Sequence, residues 1–188
     1  MSDEIRDMLK DAESRMHGAI QSLSDSLATV RTGRANPALV EKLSIDYYGT
    51  PTPLMQLASI SVPEPRSLMI KPFDASTIKQ IEKAILTSDL GLNPNSDGKV
   101  IHLNLPPLNE ERRKDLVKHV HQRLEEARVA VRNIRRDIHN DMREFEKEKL
   151  ITEDGLRRGE EDLQKLTDRF VEDINRNGHT KEKEIMEV

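Results

Sequence analysis

From the amino end, the apolar positions Ile5, Leu9, Ala12, Met16, Ile20, Leu23, Leu27 and Val30 are separated by steps of three and four. That spacing returns to one side of a helix with each turn, so it predicts an amphipathic helix with a single buried stripe. Gly18 is a weak point inside this run but lies off the stripe. The same rhythm resumes at Leu116, Val120, Leu124, Ala127, Val131, Ile134, Ile138, Met142 and Phe145; a helix of roughly 40 residues there would be about 60 Å long. The segment "ITEDG" then interrupts, with Thr152 and Gly155 marking a turn or a capped restart. A third run, Leu163, Leu166, Phe170 and Ile174, fades into the charged tail "HTKEKEIMEV". Three long stripes can bury one another by lying side by side, which predicts a three-helix bundle with coiled-coil-like spacing.

Between the first and second runs the pattern changes. All nine prolines fall between Pro37 and Pro107. "KLSIDYY" alternates, with Leu43, Ile45 and Tyr47 on one face, and predicts a strand; "GTPTPL" predicts a turn. "LASISV" and "SLMIKPF" are further strands separated by "PEP", and "KVIHLNL" is the last. "DASTIKQIEKAILTSDLG" predicts a helix capped at Asp74 or Ser76, with Ile78, Ile81 and Ile85 inward and a stop at Gly91. The window is therefore a small α/β module of about 70 residues, near the lower size at which a core stands alone. Its links to the bundle are "RTGRANP" and "NLPPL". Gly33 in one and Pro106-Pro107 in the other fit a hinge; they also fit a plainer role, ending one helix and delaying the next.

Composition narrows the class. Of 188 residues, 34% are charged and 3% aromatic, with no Trp, so apolar burial must come from aliphatic side chains on elongated elements. The absence of Cys excludes disulfides and thiolate metal sites and fits a reducing compartment. "MSDEIRDMLKDAES" has no apolar h-region, and no run approaches the roughly 18 to 20 apolar residues that span a bilayer. These features predict a cytoplasmic protein without a membrane partner.

Charge raises one local question. The formal net charge is -4, yet "ARVAVRNIRRD" gathers Arg128, Arg132, Arg135 and Arg136 with no carboxylate before Asp137. At about 100° per residue, the four fall within roughly a quarter of the helix circumference, while Ala127, Val131 and Ile134 face elsewhere. His121, His139 and Arg143 extend this basic face, and Glu125 interrupts it at its N-terminal side. One reading is a solvated face salt-bridged to neighbouring helices. Against it, Arg128 with Arg132, and Arg132 with Arg136, are like charges at i,i+4, which repel. Arginine's planar fork suits phosphate, so the face also reads as a docking surface for a folded RNA recognised by backbone and shape. A third reading pairs it with an acidic protein, as in a helical interaction module or chaperone.

Other chemistry is weakly represented. "NPNSDG" imitates the start of a calcium loop, but Asn93 and Asn104 stand where Asp and Glu are needed. His119 and His121 point to different helical faces, and there is no HExxH, GxSxG, P-loop or GxGxxG arrangement. Nothing in the pattern asks for catalysis, a metal or a cofactor.

Taken together, "RTGRANP", "YYGTPTPL", "DLGLNPNSDG", "LPPLNEERRK" and "ARVAVRNIRRD" resemble the bacterial ribosome recycling factor family, in order and from about Ser2 to Glu187. The resemblance implies an α+β, L-shaped molecule: a bundle domain over residues 1–30 and 106–188, and a β/α/β domain over 31–105. It implies a monomeric translation factor that is not an enzyme and binds no DNA. Such a factor sits on large-subunit ribosomal RNA across the A and P sites. With elongation factor G and GTP it splits the post-termination ribosome, freeing messenger RNA and tRNA. Arg132 corresponds to the family's central RNA contact, supported by Arg128, Arg135 and Arg136. Arg31 and Arg34 of "RTGR" fall beside the hinge formed with Gly33, Pro106 and Pro107; near the end of the first helix they would also complement its dipole. The chain departs from the family at Ile138 and His139, and at His119 and His121.

Overall fold

The computed structural model describes residues 2–187; the outermost residues of the predicted bundle range, Met1 and Val188, lie outside them. The described residues form two compact units, one from 2–27 and 118–182, the other from 28–117 and 183–187.

Three long helices build the first unit: α1 (Asp3–Ala28), and most of α4 (Glu110–Lys147) and α5 (Glu153–Met186). Ile5, Ala12, Met16, Leu23 and Leu27 of α1 are buried against Val120, Leu124, Ala127, Val131, Ile134, Ile138 and Met142 of α4 and Leu163, Phe170 and Ile174 of α5. These are the stripe positions expected from the spacing of threes and fours. Ion pairs tie the helices across their rims, Arg15 to Asp137 at 3.0 Å and Arg169 to Glu13 at 2.5 Å.

Helix α5 differs from expectation in two ways. It does not fade at the charged tail but runs to Met186, with Ile185 fully buried. Its inward stripe also passes through residues that are not apolar. Thr167, not Leu166, takes the core position, and its hydroxyl donates to the Leu163 carbonyl at 2.7 Å. Gly159 and Gly178 are buried on the same stripe. A Cβ on Gly178 would lie 2.2 Å from Leu124 Cδ1, and one on Gly159 would lie 3.1 Å from Ile5 Cγ2. Both glycines therefore let neighbouring helices approach closely. The restart at Thr152 occurs as read, with its hydroxyl accepting from the Gly155 amide at 3.1 Å.

The second unit contains the antiparallel module. β1 (Ser44–Tyr47) and β2 (Thr50–Pro53) form a hairpin. Its two-residue turn has φ of 49° at Tyr48 and 81° at Gly49. Positive φ at both positions matches the right-handed twist of the flanking strands. "GTPTPL" is thus a strand after one turn residue, then a short helix, α2 (Leu54–Leu57). β3 (Ala58–Glu64), β4 (Ser67–Pro72), β5 (Pro94–Ser96) and β6 (Ile101–Asn104) form a second sheet in the order β3-β4-β6-β5, with antiparallel pairing throughout. "NPNSDG" accordingly contains an edge strand as well as a turn. Pro51 and Pro53 in β2, Pro63 in β3 and Pro94 in β5 all occupy strands paired on one side, where a missing N–H breaks no central ladder.

Helix α3 (Ile78–Thr87) follows a 3₁₀ turn whose cap Asp74 accepts from the Ser76 amide at 2.9 Å. It ends at Ser88, before Gly91, which turns the chain with φ 62°. Ile78, Ile81 and Ile85 are buried with Ile45, Leu54, Leu68, Ile70, Ile101 and Leu103.

Candidate RNA interface

Every position of α4 is placed by its stripe. With Val131, Ile134 and Ile138 buried, the residues a third of a turn away must face outward. Arg132 and Arg136 are exposed, and Arg128 and Arg135 half-buried. The four guanidinium groups thus lie along one side of α4, as their spacing requires.

Their partners are unusual for a charged surface. Arg128 donates to Asn175 Oδ1 through Nε at 3.2 Å and Nη2 at 2.6 Å. Arg135 donates to Gln164 Oε1 at 2.8 Å, and Arg136 to Asn133 Oδ1 at 3.3 Å. These amide acceptors fix guanidinium orientation without cancelling charge. The carboxylate bonded to this group is Glu125, at 2.5 Å from Arg132 Nη2 and 3.3 Å from Arg128 Nη1. Those hydrogen bonds, Arg132's first and then Arg128's, hold the Glu125 carboxyl below its ordinary pKa, so it is ionised at neutral pH.

Towards both ends the character changes. His121 Nε2 lies 2.5 Å from Glu182, and His139 Nε2 lies 2.9 Å from Glu160, which also sits 3.9 Å from Arg143 Nε. The histidines do not simply extend the basic face as the helix angles suggested; each is matched by a carboxylate of α5. Asp137, the acid closing the arginine run, turns away to Arg15 of α1. What remains is a short cationic centre whose partners are three carboxamides and the shared carboxylate Glu125, with compensated flanks. The spacing of basic residues does not reveal the carboxamides Gln164 and Asn175, which lie on another helix; their only signal in the sequence is that they are neutral residues within the carboxylate-rich α5.

The predicted hinge residues lie in the second unit. Arg31 Nη2 donates to the Pro106 carbonyl at 2.5 Å, linking the two crossings. Burial, and secondarily Arg112, lowers the Arg31 pKa, and its buried Nε has no hydrogen-bond partner. Arg34 is exposed, and its backbone N–H donates to Thr32 Oγ1 at 3.3 Å. Gly33 does not adopt a positive φ, so it is not a left-handed helix stop. Pro106 and Pro107 are exposed just before Asn109, whose side chain caps α4 by accepting from the Arg112 amide at 2.8 Å. Among the described residues no cluster of three or more metal-ligating side chains exists, and no helix is long and apolar enough to cross a membrane.

The fold and this face define an α+β protein whose helical unit is discontinuous in sequence and carries concentrated guanidinium charge on its longest helix. The family described as "Ribosome recycling factor" matches residues 23–186, and the chain belongs to that family. The ribosome-recycling factor of Roseiflexus sp. (strain RS-1) is 55% identical over 184 residues, 98% of this chain and 100% of that protein. That of Halalkalibacterium halodurans is 55% identical over 183 residues. A solution structure of the ribosome recycling factor matches over the whole of both chains with TM-score 0.78 and 45% identity. The fold also matches, with TM-score 0.68 and 44% identity over 97% of this chain and 99% of the other, a structure from models of the T. thermophilus ribosome recycling factor and the E. coli elongation factor G bound to the E. coli post-termination complex.

Proposed function

We propose that this protein binds the ribosome left after peptide release and, with elongation factor G and GTP, splits its subunits so that messenger RNA and tRNA leave. Family membership makes it a translation factor and not an enzyme. The observation that carries the reading is likeness over nearly the full length of relatives bearing that function, 98% of this chain and 100% of the Roseiflexus protein.

Within that function, Arg132 contacts large-subunit ribosomal RNA across the A and P sites, flanked by Arg128, Arg135 and Arg136. Asn175, Gln164 and Asn133 are neutral partners, and the carboxylate Glu125 is shared between Arg132 and Arg128, so the four arginines keep a net positive charge that supports this reading. The bundle, residues 1–30 and 106–188, is the ribosome anchor, and residues 31–105 form the module that elongation factor G drives. Arg31, Gly33, Arg34, Pro106 and Pro107 form the hinge between them. The protein acts as a monomer in the cytoplasm.

The test is splitting of post-termination ribosomes assembled from purified components. Subunits should separate when the protein, its cognate elongation factor G and GTP are all present, and not when any one is omitted. Salt-sensitive binding to an acidic protein without ribosome splitting would favour the interaction-module reading instead.

A further inference from the structure

We propose that Glu125 is a built-in counter-anion of the arginine face, a positioning residue that holds Arg132 and Arg128 and limits how tightly the face takes RNA phosphate. This rests on the reading of the face as an RNA-docking surface.

Three amides and one carboxylate serve the four arginines among the described residues. The amides leave the positive charge intact; Glu125 does not. One of its oxygens meets Arg132 Nη2 at 2.5 Å and the other meets Arg128 Nη1 at 3.3 Å. Two oxygens shared between two guanidiniums is also the arrangement a phosphate presents. Glu125 therefore occupies, from within α4, the donors that a backbone phosphate would use. Side-chain exposure is 56% for Arg132 and 54% for Glu125, so phosphate can reach the pair and displace the carboxylate.

Two consequences follow. Before binding, Arg132 is held in one orientation rather than sampling solvent, which lowers the ordering cost of docking. On binding, phosphate must replace an existing charge-assisted bond and tolerate a nearby negative charge, so affinity is held below what four free arginines would give. Docking that must later be reversed fits such a limit.

Glu125→Gln keeps the side chain's shape and an acceptor oxygen while removing the charge. In full-length protein, with isolated large ribosomal subunits over a salt series, it should tighten binding roughly two- to fivefold, the range that an exposed ion pair converts to. The salt dependence should steepen by up to about one unit of log–log slope, since one more net positive charge meets phosphate. Thermal unfolding should be unchanged. In an Arg132→Ala background the same substitution should lose most of its effect. Unchanged or weaker binding by Glu125→Gln overturns the proposal. So does a full gain in the Arg132→Ala background, because the carboxylate would then act by charge without holding Arg132. A different result, Arg132→Ala binding as tightly as the wild type, removes the RNA-docking reading itself.

Discussion

The bundle and the α/β module handle their surfaces in opposite ways. In the bundle, Phe170 is buried to 1% exposure with its ring edge-on to His17 at 4.9 Å, and the outward side of α4 is given to arginine. In the module, Tyr48 is 80% and Phe73 72% exposed, with Met55 nearby in sequence to Leu54 and also exposed. Phe73, Tyr47, Gln56 and Asp74 share one shallow depression, beside which Tyr47 packs edge-on against Tyr48 at 4.7 Å. A chain with so few aromatics buries one in its bundle and displays two on its module. The arginine side of the bundle carries guanidinium groups held by carboxamides and by a shared carboxylate. The aromatic corner is lined by side chains of both kinds, Tyr47 and Phe73 beside Asp74 and Gln56. The contrast teaches that the two units expose different chemistry, guanidinium charge on one and aromatic rings on the other, so each can be perturbed alone.

The largest effect expected from that contrast compares two phenylalanines. Phe170→Ala should cost about 3 to 5 kcal/mol of stability, whereas Phe73→Ala should stay within about 0.5 kcal/mol. Chemical denaturation of both variants checks this; equal losses would mean that Phe73 is a core residue.

A pair of glycines sharpens the picture inside the bundle. Gly178→Ala places a methyl 2.2 Å from Leu124; overpacking of about 1 to 3 kcal/mol exceeds the roughly 1 kcal/mol gained in helix propensity. Gly18 has nothing within 4 Å of a built Cβ, so Gly18→Ala should stabilise by about 0.5 to 1 kcal/mol. Melting temperatures should move in opposite directions, and a shared direction would contradict the close approach of α4 and α5 at Gly178.

The smallest effect belongs to the module and depends on pH. Asp97 accepts from the amides of Lys99 at 2.9 Å and Val100 at 2.8 Å. These bonds hold its carboxyl below the ordinary value. A depressed folded-state pKa means that the contribution is present above the unfolded value of about 3.9 and is lost as pH falls through the folded one. Asp97→Asn should therefore lower stability slightly at pH 7 and flatten its decline in acid, read by urea unfolding at both ends of the range. A decline as steep as the wild type's would remove Asp97 from the acid response.

Much of this was readable from the chain, and the exceptions have physical reasons. The α4 stripe is continuous Leu, Val, Ala, Ile and Met, so periodicity locates both its core side and its arginine side. In α5 the stripe passes over Gly159, Thr167 and Gly178, where close packing replaces side-chain bulk and hydropathy goes silent. Strand β2 was hidden because prolines normally mark turns, yet an edge strand tolerates them. The arginines were legible from their spacing, but not their partners: Gln164 and Asn175 reach them across helices, as Glu160 and Glu182 reach His139 and His121. Pairing across a bundle depends on register, which a single helical wheel does not contain.

The central claim is that the arginine face docks on ribosomal RNA, and Arg132→Ala tests it most directly when large-subunit affinity is measured across a salt series. Arg132 is 56% exposed and stands off the buried stripe, so stability should change by no more than about 0.5 kcal/mol. Affinity should fall by about 1.5 to 3 kcal/mol with a shallower salt slope, since a charge-assisted phosphate contact and its released counterions are lost. Arg132→Lys should recover part of the loss, because charge returns without the planar fork, and Arg132→Glu should be worse than alanine. A folded Arg132→Ala protein that binds large subunits with unchanged affinity and unchanged salt dependence would contradict the account.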